Sequence, residues 1–289
     1  MKIGIIGLGV MGSNLARCLS GKNVELGYYN RSREKADRLA REIGGLVYSN
    51  PVDLLSESDL TILFLPRDED VLEVVGEITR KSSGGVVVNA STITPNTSLK
   101  TQRILEEKGV KYIEAPVYGS SDEARECRLI SIIASRREVF DEYRGVFALY
   151  SRKTYYVGEP PKAIALKLAL NNLGLSMPAL IAESLMILES HGVELEVFKE
   201  ISRELWFGGV LDRYLDRVVS EKPVRFKAEL AAKDYAYISQ SLRAKGLPSI
   251  ISSALYEFYS IASNNGYAEK DYPYAAKYFI DMAKKKQRQ

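Results

Sequence analysis

Histidine and cysteine are nearly absent from this sequence of 289 residues, which contains one histidine, His191, and two cysteines, Cys18 and Cys127. A zinc site needs several such ligands at close spacing, and a histidine-based triad needs a histidine near a nucleophile. The sequence therefore predicts neither a metal site nor such a triad. We expect both cysteines to be reduced thiols, and we expect His191, directly before Gly192, to lie near the end of a helix.

The sequence also has little net charge and no long apolar run. It contains 40 Lys and Arg and 37 Asp and Glu, which gives a formal net charge of +3. Without a strong field of one sign, nucleic acid and membrane surfaces are not expected partners. No segment has about 18 uninterrupted apolar residues, and the first residues resemble a strand rather than a secretory signal. We therefore expect a soluble cytoplasmic protein.

Short apolar segments alternate with amphipathic segments through the first half of the chain. The predicted strands are residues 2–6, 24–29, 60–65, 84–91 and 111–117. Strands that alternate with helices predict an α/β domain with a doubly wound parallel sheet. Near residue 158 the strand signals nearly vanish. We therefore predict a nucleotide-binding domain at residues 1–157 and an all-helical domain at residues 158–289.

Three glycines, Gly7, Gly9 and Gly12, follow the first predicted strand in G-x-G-x-x-G spacing. In a strand-turn-helix unit the first permits a tight turn, the second lets a pyrophosphate approach the backbone, and the third lets the helix pack on the strand. Val10 and Met11 lie in the turn before the predicted helix, which begins at Ser13, and the free N–H groups at a helix N-terminus favour phosphate. The pattern predicts a dinucleotide site, and a tight turn without a ligand is the alternative.

The tip of the second predicted strand lacks the acidic residue that an NAD site favours for the ribose 2′-hydroxyl. The sequence there is Asn30, Arg31 and Ser32. A guanidinium group forms paired, charge-assisted hydrogen bonds with phosphate, and we expect no carboxylate nearby to repel that phosphate. The sequence therefore predicts NADP as the preferred cofactor, with NAD also possible. A solvated arginine at a strand end is the alternative.

Six segments carry a resemblance to a known family, in that family's order and approximate spacing. They are GLGVMGSNLA (7–16), ASTITP (90–95), EAPVYGS (114–120), KLALNN (167–172), AESLMILESHGVE (182–194) and FKAELAAKD (226–234). The chain resembles the β-hydroxyacid dehydrogenases, which include 3-hydroxyisobutyrate dehydrogenase, tartronate semialdehyde reductase and glyoxylate/succinic semialdehyde reductases. The resemblance implies a Rossmann-like domain, an all-α domain joined to it by a long interdomain helix, and an active site in the cleft between them. It also implies a homodimer or homotetramer formed through the helical domain.

Lys167 and Asn171 are four residues apart, so on a helix they lie on one face and can reach one small substrate. The resemblance implies that Lys167 is the catalytic acid and base and that Asn171 binds the substrate. Oxidation of an alcohol requires removal of the hydroxyl proton, and a lysine with a lowered pKa can accept that proton and return it in the reverse reaction. A snorkelling lysine and a surface asparagine are the alternative that the spacing alone leaves open.

Other roles come from the resemblance alone. It implies that Thr92 lies beside the nicotinamide ribose, that Leu65 and Pro66 wall the cofactor, and that Lys233 reaches into the cofactor and substrate cleft. Without the resemblance, Thr92 would cap a helix and Lys233 would be a solvated charge. Trp206 is a candidate for the substrate pocket, although core packing is the more common fate of such a side chain.

The chain departs from the family at residues 115–120, where the usual A-P-V-S-G-G is A-P-V-Y-G-S. The family's serine and adjacent glycine N–H groups hold the substrate carboxylate. We expect Tyr118, Gly119 and Ser120 to bind the substrate here, with the Tyr118 ring in the pocket. In the alternative, the ring turns into the core or a subunit contact and Ser120 binds the carboxylate.

Two further departures affect structure. Cys127 or Arg128, and later Ser135 and Arg136, replace glycines of the family, so that loop should pack differently. Pro178 falls inside the expected interdomain helix, where it removes a hydrogen bond and should kink or interrupt the helix.

Together these features predict an NADP-preferring oxidoreductase. It would transfer hydride between nicotinamide and a small β-hydroxyacid, similar to 3-hydroxyisobutyrate, or its semialdehyde. One alternative is an imine-reductase-like NADPH enzyme, although such relatives typically lack the lysine. Another is a noncatalytic nucleotide-binding regulator, which would keep the glycine loop and could dispense with Lys167 and Asn171.

Overall fold

The computed structural model describes residues 1–81 and 84–287. The chain divides into two compact units, Met1–Lys167 and Leu168–Gln289. The division lies inside a long helix that begins at Lys162, whereas the sequence places the boundary five residues before that helix.

A six-stranded parallel sheet forms the centre of the first unit. Its strand order is β3-β2-β1-β4-β5-β6. The strands are β1 (Lys2–Ile6), β2 (Glu25–Tyr29), β3 (Leu46–Val47), β4 (Leu60–Leu63), β5 (Val86–Asn89) and β6 (Lys111–Glu114). Every residue of β4 and β5 is buried, as expected for a parallel sheet covered on both faces. The predicted doubly wound α/β fold is confirmed.

In the described residues of this unit, seven helices connect the strands or flank them. They are α1 (Val10–Ser20), α2 (Arg33–Ile43), α3 (Pro51–Ser56), α4 (Asp68–Lys81), α5 (Pro95–Glu106), α6 (Ser121–Arg125) and α7 (Arg137–Ala148). Local sequence explains their ends. For example, α2 stops at Gly44, whose φ of +78° favours glycine, and α5 begins with Pro95 after the N-cap Thr94.

A second, three-stranded sheet was not predicted, and only the first of its strands overlaps a predicted strand, at Val117. It contains β7 (Val117–Tyr118), β8 (Leu129–Ile133) and β9 (Ser151–Tyr156), with β8 antiparallel to β7 and parallel to β9. The predicted strand at 111–117 is in fact two strands, because the chain leaves the first sheet at Ala115 and Pro116, and proline cannot donate to a ladder. The sequence analysis missed β8, and it also missed β9, whose residues, S-R-K-T-Y-Y, are largely exposed. Its threonine and tyrosines were the available signal.

Cys18 in α1 and Cys127 after α6 form a disulfide, with Cα atoms 5.4 Å apart. The expectation of two reduced thiols is therefore wrong. The two residues are 109 positions apart, and the packing of α1 against α6 brings them together. Cys127 has a φ of +57°, in the left-handed region that favours glycine, at one of the two positions considered for the replaced family glycine.

The described part of the second unit is helical. Helix α8 (Lys162–His191) enters it, and α9 (Leu195–Arg203), α10 (Gly208–Val219), α11 (Ala228–Arg243), α12 (Ile250–Ala262) and α13 (Lys277–Gln287) follow. His191 ends α8, as predicted. Within residues 1–81 and 84–287, α8 is the one helix whose length and composition alone would let it cross a membrane. A buried core helix passes the same test, so this is weak support for a membrane location.

Helix α8 continues through Pro178. Proline lacks the N–H that would bond to the carbonyl of Gly174. The hydroxyl of Tyr214 donates to that carbonyl at 3.2 Å, and the hydroxyl of Tyr259 donates to the carbonyl of Leu175 at 2.7 Å. The Tyr214 hydroxyl thus supplies the hydrogen bond that proline cannot donate to the Gly174 carbonyl, and the helix is not interrupted at Pro178.

Candidate functional site

The three glycines of the first β-α turn have different surroundings. Gly7 has a φ of +93°, and a Cβ there would lie 2.2 Å from the carbonyl oxygen of Phe64. A Cβ on Gly12 would lie 2.1 Å from the carbonyl oxygen of Gly7, so the third glycine lets α1 approach the turn. Around Gly9, by contrast, a Cβ would meet nothing within 4 Å, and α1 begins at the next residue. Open backbone at a helix N-terminus fits a pyrophosphate group.

Asn30 connects this turn to the tip of β2. Its Oδ1 accepts a hydrogen bond from the N–H of Leu8 at 2.9 Å, and its Nδ2 donates to the carbonyl of Ser32 at 3.0 Å. These bonds fix the loop in which the predicted cofactor residues lie.

Arg31 has acidic neighbours that the sequence analysis did not anticipate. Its guanidinium donates to Oδ1 of Asp70 at 2.8 Å and lies 3.8 Å from Oε2 of Glu73, both in α4. The expectation that no carboxylate stands nearby is therefore wrong. Because the arginine side chain is exposed, solvent screens these ion pairs, and a phosphate would compete with them for the guanidinium.

The loops after β4 and β5 join at the carboxyl end of the sheet, the edge that also carries the glycine turn. The N–H of Leu65 donates to Oγ of Ser91 at 2.8 Å, and the N–H of Ser91 donates to Oδ1 of Asn89 at 3.0 Å. This edge is where doubly wound sheets bind ligands. Thr92 follows Ser91 in this loop, and the N-cap of α5 is Thr94, so Thr92 is not the helix cap.

Lys167 and Tyr118, two of the predicted site residues, are in contact. Lys167 lies in the second turn of α8, and its Nζ is 4.7 Å from the centroid of the Tyr118 ring at the end of β7. The Tyr118 side chain is 36% exposed, so its ring is not turned into the core. An ammonium group at this distance is attracted to the electron-rich face of the ring.

Gly119 and Ser120 lead into α6. Gly119 has a φ of +141°, and a Cβ there would lie 2.8 Å from Cδ2 of Leu129. The N–H of Ser120 donates to Oε2 of Glu123 at 2.8 Å, and its hydroxyl bonds to the same oxygen. The Ser120 hydroxyl is therefore engaged with Glu123 at the start of α6.

Three polar residues gather in the second unit. Asn171 is buried, and its Nδ2 donates to Oδ2 of Asp234 at 2.7 Å. Nζ of Lys233 lies 3.0 Å from Oδ1 of the same carboxylate and 4.9 Å from the ring centroid of Tyr237. Asn171 is thus not a surface residue, and Lys233 is not simply solvated. The sequence analysis missed Asp234, although it follows Lys233 directly in the quoted segment AAKD.

Trp206 lies between α9 and α10, and its side chain is 94% exposed. Its ring meets Phe207 edge-on, with centroids 5.5 Å apart. The alternative of core packing is therefore wrong, and a role in substrate binding stays a prediction. In the part of the chain that the structure describes, no group of three or more His, Cys, Asp or Glu side chains is placed to hold a metal ion.

Comparison with known proteins supports this description. Residues 2–158 match the family described as the NAD binding domain of 6-phosphogluconate dehydrogenase. The uncharacterized oxidoreductase YfjR of Bacillus subtilis is 32% identical over 241 residues, which cover 81% of this chain and 84% of that protein. Glyoxylate/succinic semialdehyde reductase 2 of Arabidopsis thaliana is 25% identical over 282 residues, which cover 94% of this chain and 77% of that protein.

Solved structures share the fold. The 3-hydroxyisobutyrate dehydrogenase of Mycobacterium tuberculosis, solved with L-serine, has a TM-score of 0.85 at 19% identity, over 96% of this chain and 98% of that one. An imine reductase of Myxococcus stipitatus has a TM-score of 0.65 at 17% identity, over 96% of this chain and 99% of that one. At these identities both likenesses concern the fold alone.

A parallel sheet with a glycine turn after its first strand is typical of dinucleotide-binding proteins. The chain belongs to the family of the 6-phosphogluconate dehydrogenase NAD binding domain, and the predicted resemblance to β-hydroxyacid dehydrogenases is confirmed. It is an NAD(P)-dependent oxidoreductase.

Proposed function

We propose that this enzyme transfers hydride between NADP(H) and a small β-hydroxyacid, similar to 3-hydroxyisobutyrate, or its semialdehyde. The observation that carries the proposal is the contact between the Lys167 amine and the Tyr118 ring. Lys167 lies on α8, four residues before Asn171. The named relatives support the substrate class, since one reduces glyoxylate and succinic semialdehyde according to its name.

The residues of the first unit fit the cofactor. The open backbone at Gly9 and the N-terminus of α1 would hold the pyrophosphate, and Arg31 would hold the 2′-phosphate. When bound, the nicotinamide supplies the hydride acceptor for oxidation and the hydride donor for reduction. Because Asp70 and Glu73 partly neutralise Arg31, we expect a preference for NADP rather than exclusion of NAD.

Lys167 would move the proton. In oxidation its neutral amine accepts the hydroxyl proton of the substrate, and in reduction its ammonium returns that proton to the oxygen. Asn171 would bind the substrate through its Oδ1 and its second N–H, because Asp234 already holds one N–H and so fixes the orientation of the amide.

The deciding experiment is turnover on a panel of small hydroxyacids and their semialdehydes with NADP(H) and NAD(H), with a cyclic imine included. The Lys167→Met variant should lose about 10²–10⁴-fold in kcat, because proton transfer is removed, and should keep its affinity for NADPH within a few-fold. Near wild-type turnover in Lys167→Met would reject the assignment. Cofactor binding without any turnover would favour the regulator, and reduction of the imine alone would favour the imine reductase.

We also propose that the protein forms a homodimer or homotetramer through α8. Leu173, Leu180 and Ile187 are exposed and spaced by seven residues, so they form one apolar stripe on that helix. Seven-residue spacing is typical of helices that pair with a second helix, and a second copy of this chain presents the same stripe. Light scattering should give more than one chain per particle, and Leu180→Glu should shift the particle towards the monomer.

A further inference from the structure

Glu114 is a fully buried carboxylate at the end of β6. Its Oε2 accepts hydrogen bonds from the backbone N–H of Ala163 at 3.1 Å and of Ile164 at 3.3 Å. Its Oε1 accepts a hydrogen bond from the hydroxyl of Ser98. Glu114 therefore supplies acceptors to N–H groups in the first turn of α8, which have no partner within the helix.

These two N–H groups belong to the first turn of α8, directly before the turn that carries Lys167. Ala163 lies four residues before Lys167 and Ile164 lies three before it, so both are neighbours of Lys167 on the helix surface. The Glu114 carboxylate thus holds the first turn of α8 next to the end of β6 and, with it, the backbone from which the Lys167 side chain extends.

The same carboxylate is the end of a continuous hydrogen-bond chain that begins beside the predicted cofactor loops. From Leu65 the donors and acceptors run through Ser91, Asn89, Tyr112 and Ser98 to Glu114. Asn89 donates to the Tyr112 hydroxyl at 3.3 Å, and that hydroxyl lies 2.9 Å from Oγ of Ser98. Because the side chains of Asn89, Tyr112 and Ser98 are buried, these bonds act in a low dielectric and each group has lost its alternative partners in water.

Residue 114 also anchors the other partner of Lys167. The backbone N–H and carbonyl of Glu114 pair with those of Ala134 at 2.8 and 2.9 Å, which joins the first sheet to the second. Tyr118 follows four residues later on β7, next to β8. Glu114 therefore supports both members of the Lys167–Tyr118 contact, Lys167 through its side chain and Tyr118 through its backbone.

We propose that Glu114 is a positioning residue for the reaction: it holds the first turn of α8 and so places the Lys167 amine relative to the loops after β4 and β5. This inference rests on the proposed role of Lys167. Glu114 does not contact the reacting atoms in this account. It acts through the helix that carries the lysine.

The test compares Glu114→Ala and Ser98→Ala with the isosteric Glu114→Gln, and measures kcat per folded site, KM and the dissociation constant for NADPH. A misplaced catalytic group costs up to about 10²-fold, so we expect Glu114→Ala to lower kcat about 10- to 100-fold, with NADPH affinity within about two-fold. Ser98→Ala should lower kcat less. Glu114→Gln should stay within about three-fold of wild type, because its amide oxygen still accepts from α8 and its NH₂ can donate to Ser98.

A helix cap elsewhere in the same unit provides the matched control. At the start of α3, Oδ1 of Asn50 accepts a hydrogen bond from the N–H of Asp53 at 2.9 Å. Helix α3 carries none of the candidate site residues. Asn50→Ala should lower the melting temperature and leave kcat per folded site unchanged.

The outcomes separate this inference from the proposed function. Turnover that survives Lys167→Met overturns both. If Lys167→Met is inactive while Glu114→Ala keeps wild-type kcat, only the positioning role is rejected. If Glu114→Ala does not fold, Ser98→Ala decides: a lower kcat at unchanged NADPH affinity supports the proposal, and an unchanged kcat overturns it. A loss of kcat in Asn50→Ala equal to that in the Glu114 or Ser98 variant also overturns it.

Discussion

The Nζ atom of Lys167 lies 4.7 Å from the ring centroid of Tyr118, where β-hydroxyacid dehydrogenases are expected to have a serine. The ring therefore occupies space beside the candidate acid and base that a hydroxymethyl group would leave open. Its hydroxyl still offers one donor and one acceptor to a substrate carboxylate or hydroxyl. In the proposed function, the pair would combine a proton-transfer group, Lys167, with a side chain, Tyr118, that limits the size of the substrate.

Replacement of the ring should change the size preference of the enzyme. Tyr118→Ser should shift kcat/KM towards bulkier, branched hydroxyacids, because space opens next to Lys167, by about 1–3 kcal/mol for each methylene accommodated. The measurement is kcat/KM across a size-graded series of hydroxyacids.

Two variants control this experiment. Tyr118→Phe keeps the ring and should keep the size ranking. Ser120→Ala removes a hydroxyl that already bonds to Glu123 and should change KM little. An unchanged ranking in Tyr118→Ser, together with a raised KM in Ser120→Ala alone, would show that the carboxylate is bound by Ser120.

Charge changes around Arg31 should move the cofactor preference in opposite directions. Arg31→Asp removes a phosphate partner and adds a repelling charge, so the NADP/NAD ratio of kcat/KM should fall by an amount equivalent to about 1.5–3 kcal/mol. Asp70→Asn should raise the ratio, because the guanidinium loses its partner at 2.8 Å. Steady-state kinetics with both cofactors measures the ratio.

Arg137 is a matched control, since it is another exposed arginine with an aspartate, Asp141, at 2.8 Å. Arg137→Ala should leave the ratio unchanged. Equal kcat/KM for NADP and NAD in the wild type would mean that Arg31 does not bind the 2′-phosphate.

The disulfide between Cys18 and Cys127 should stabilise the protein. It closes a loop of 109 residues. A cross-link over such a loop lowers the conformational entropy of the unfolded chain, which stabilises the folded protein by about 4–5 kcal/mol. Cys18→Ser should lower the free energy of unfolding measured in denaturant, and a reductant should lower that of the wild type. The variant itself should not respond to reductant, and a wild type equally insensitive to it would contradict a stabilising bond.

Glu114 should make stability depend on pH. Burial raises its pKa from 4.5 to about 7, so the folded protein holds the proton over a pH range in which the unfolded chain has lost it. The contribution to stability is fully present below about pH 4.5 and is lost as the pH rises through about 7, a change of about 3 kcal/mol. Denaturant unfolding of the wild type and of Glu114→Gln between pH 4.5 and 8 should show this difference. If the difference in free energy of unfolding between the wild type and Glu114→Gln stayed constant across that pH range, the raised pKa of Glu114 would be contradicted.

Much of the fold and part of the site could be predicted from local patterns. The alternation of strands and helices, the three glycines of the first turn, and the helix carrying Lys167 and Asn171 each depend on residues within about 20 positions of one another. Their physical basis is local: backbone conformation at glycine, the two-residue period of strands and the 3.6-residue period of helices. Each of these features can therefore be predicted from a single stretch of the sequence.

The tertiary structure alone decided which distant residues meet. The Cys18–Cys127 bond, the pairing of Arg31 with Asp70, and the hydrogen bonds from Glu114 to the start of α8 join residues separated by between 39 and 109 positions. Nothing in the periodicity of either partner specifies the other, because charge pairing and hydrogen bonding depend on distances of a few ångströms that arise only when the strands and helices have packed.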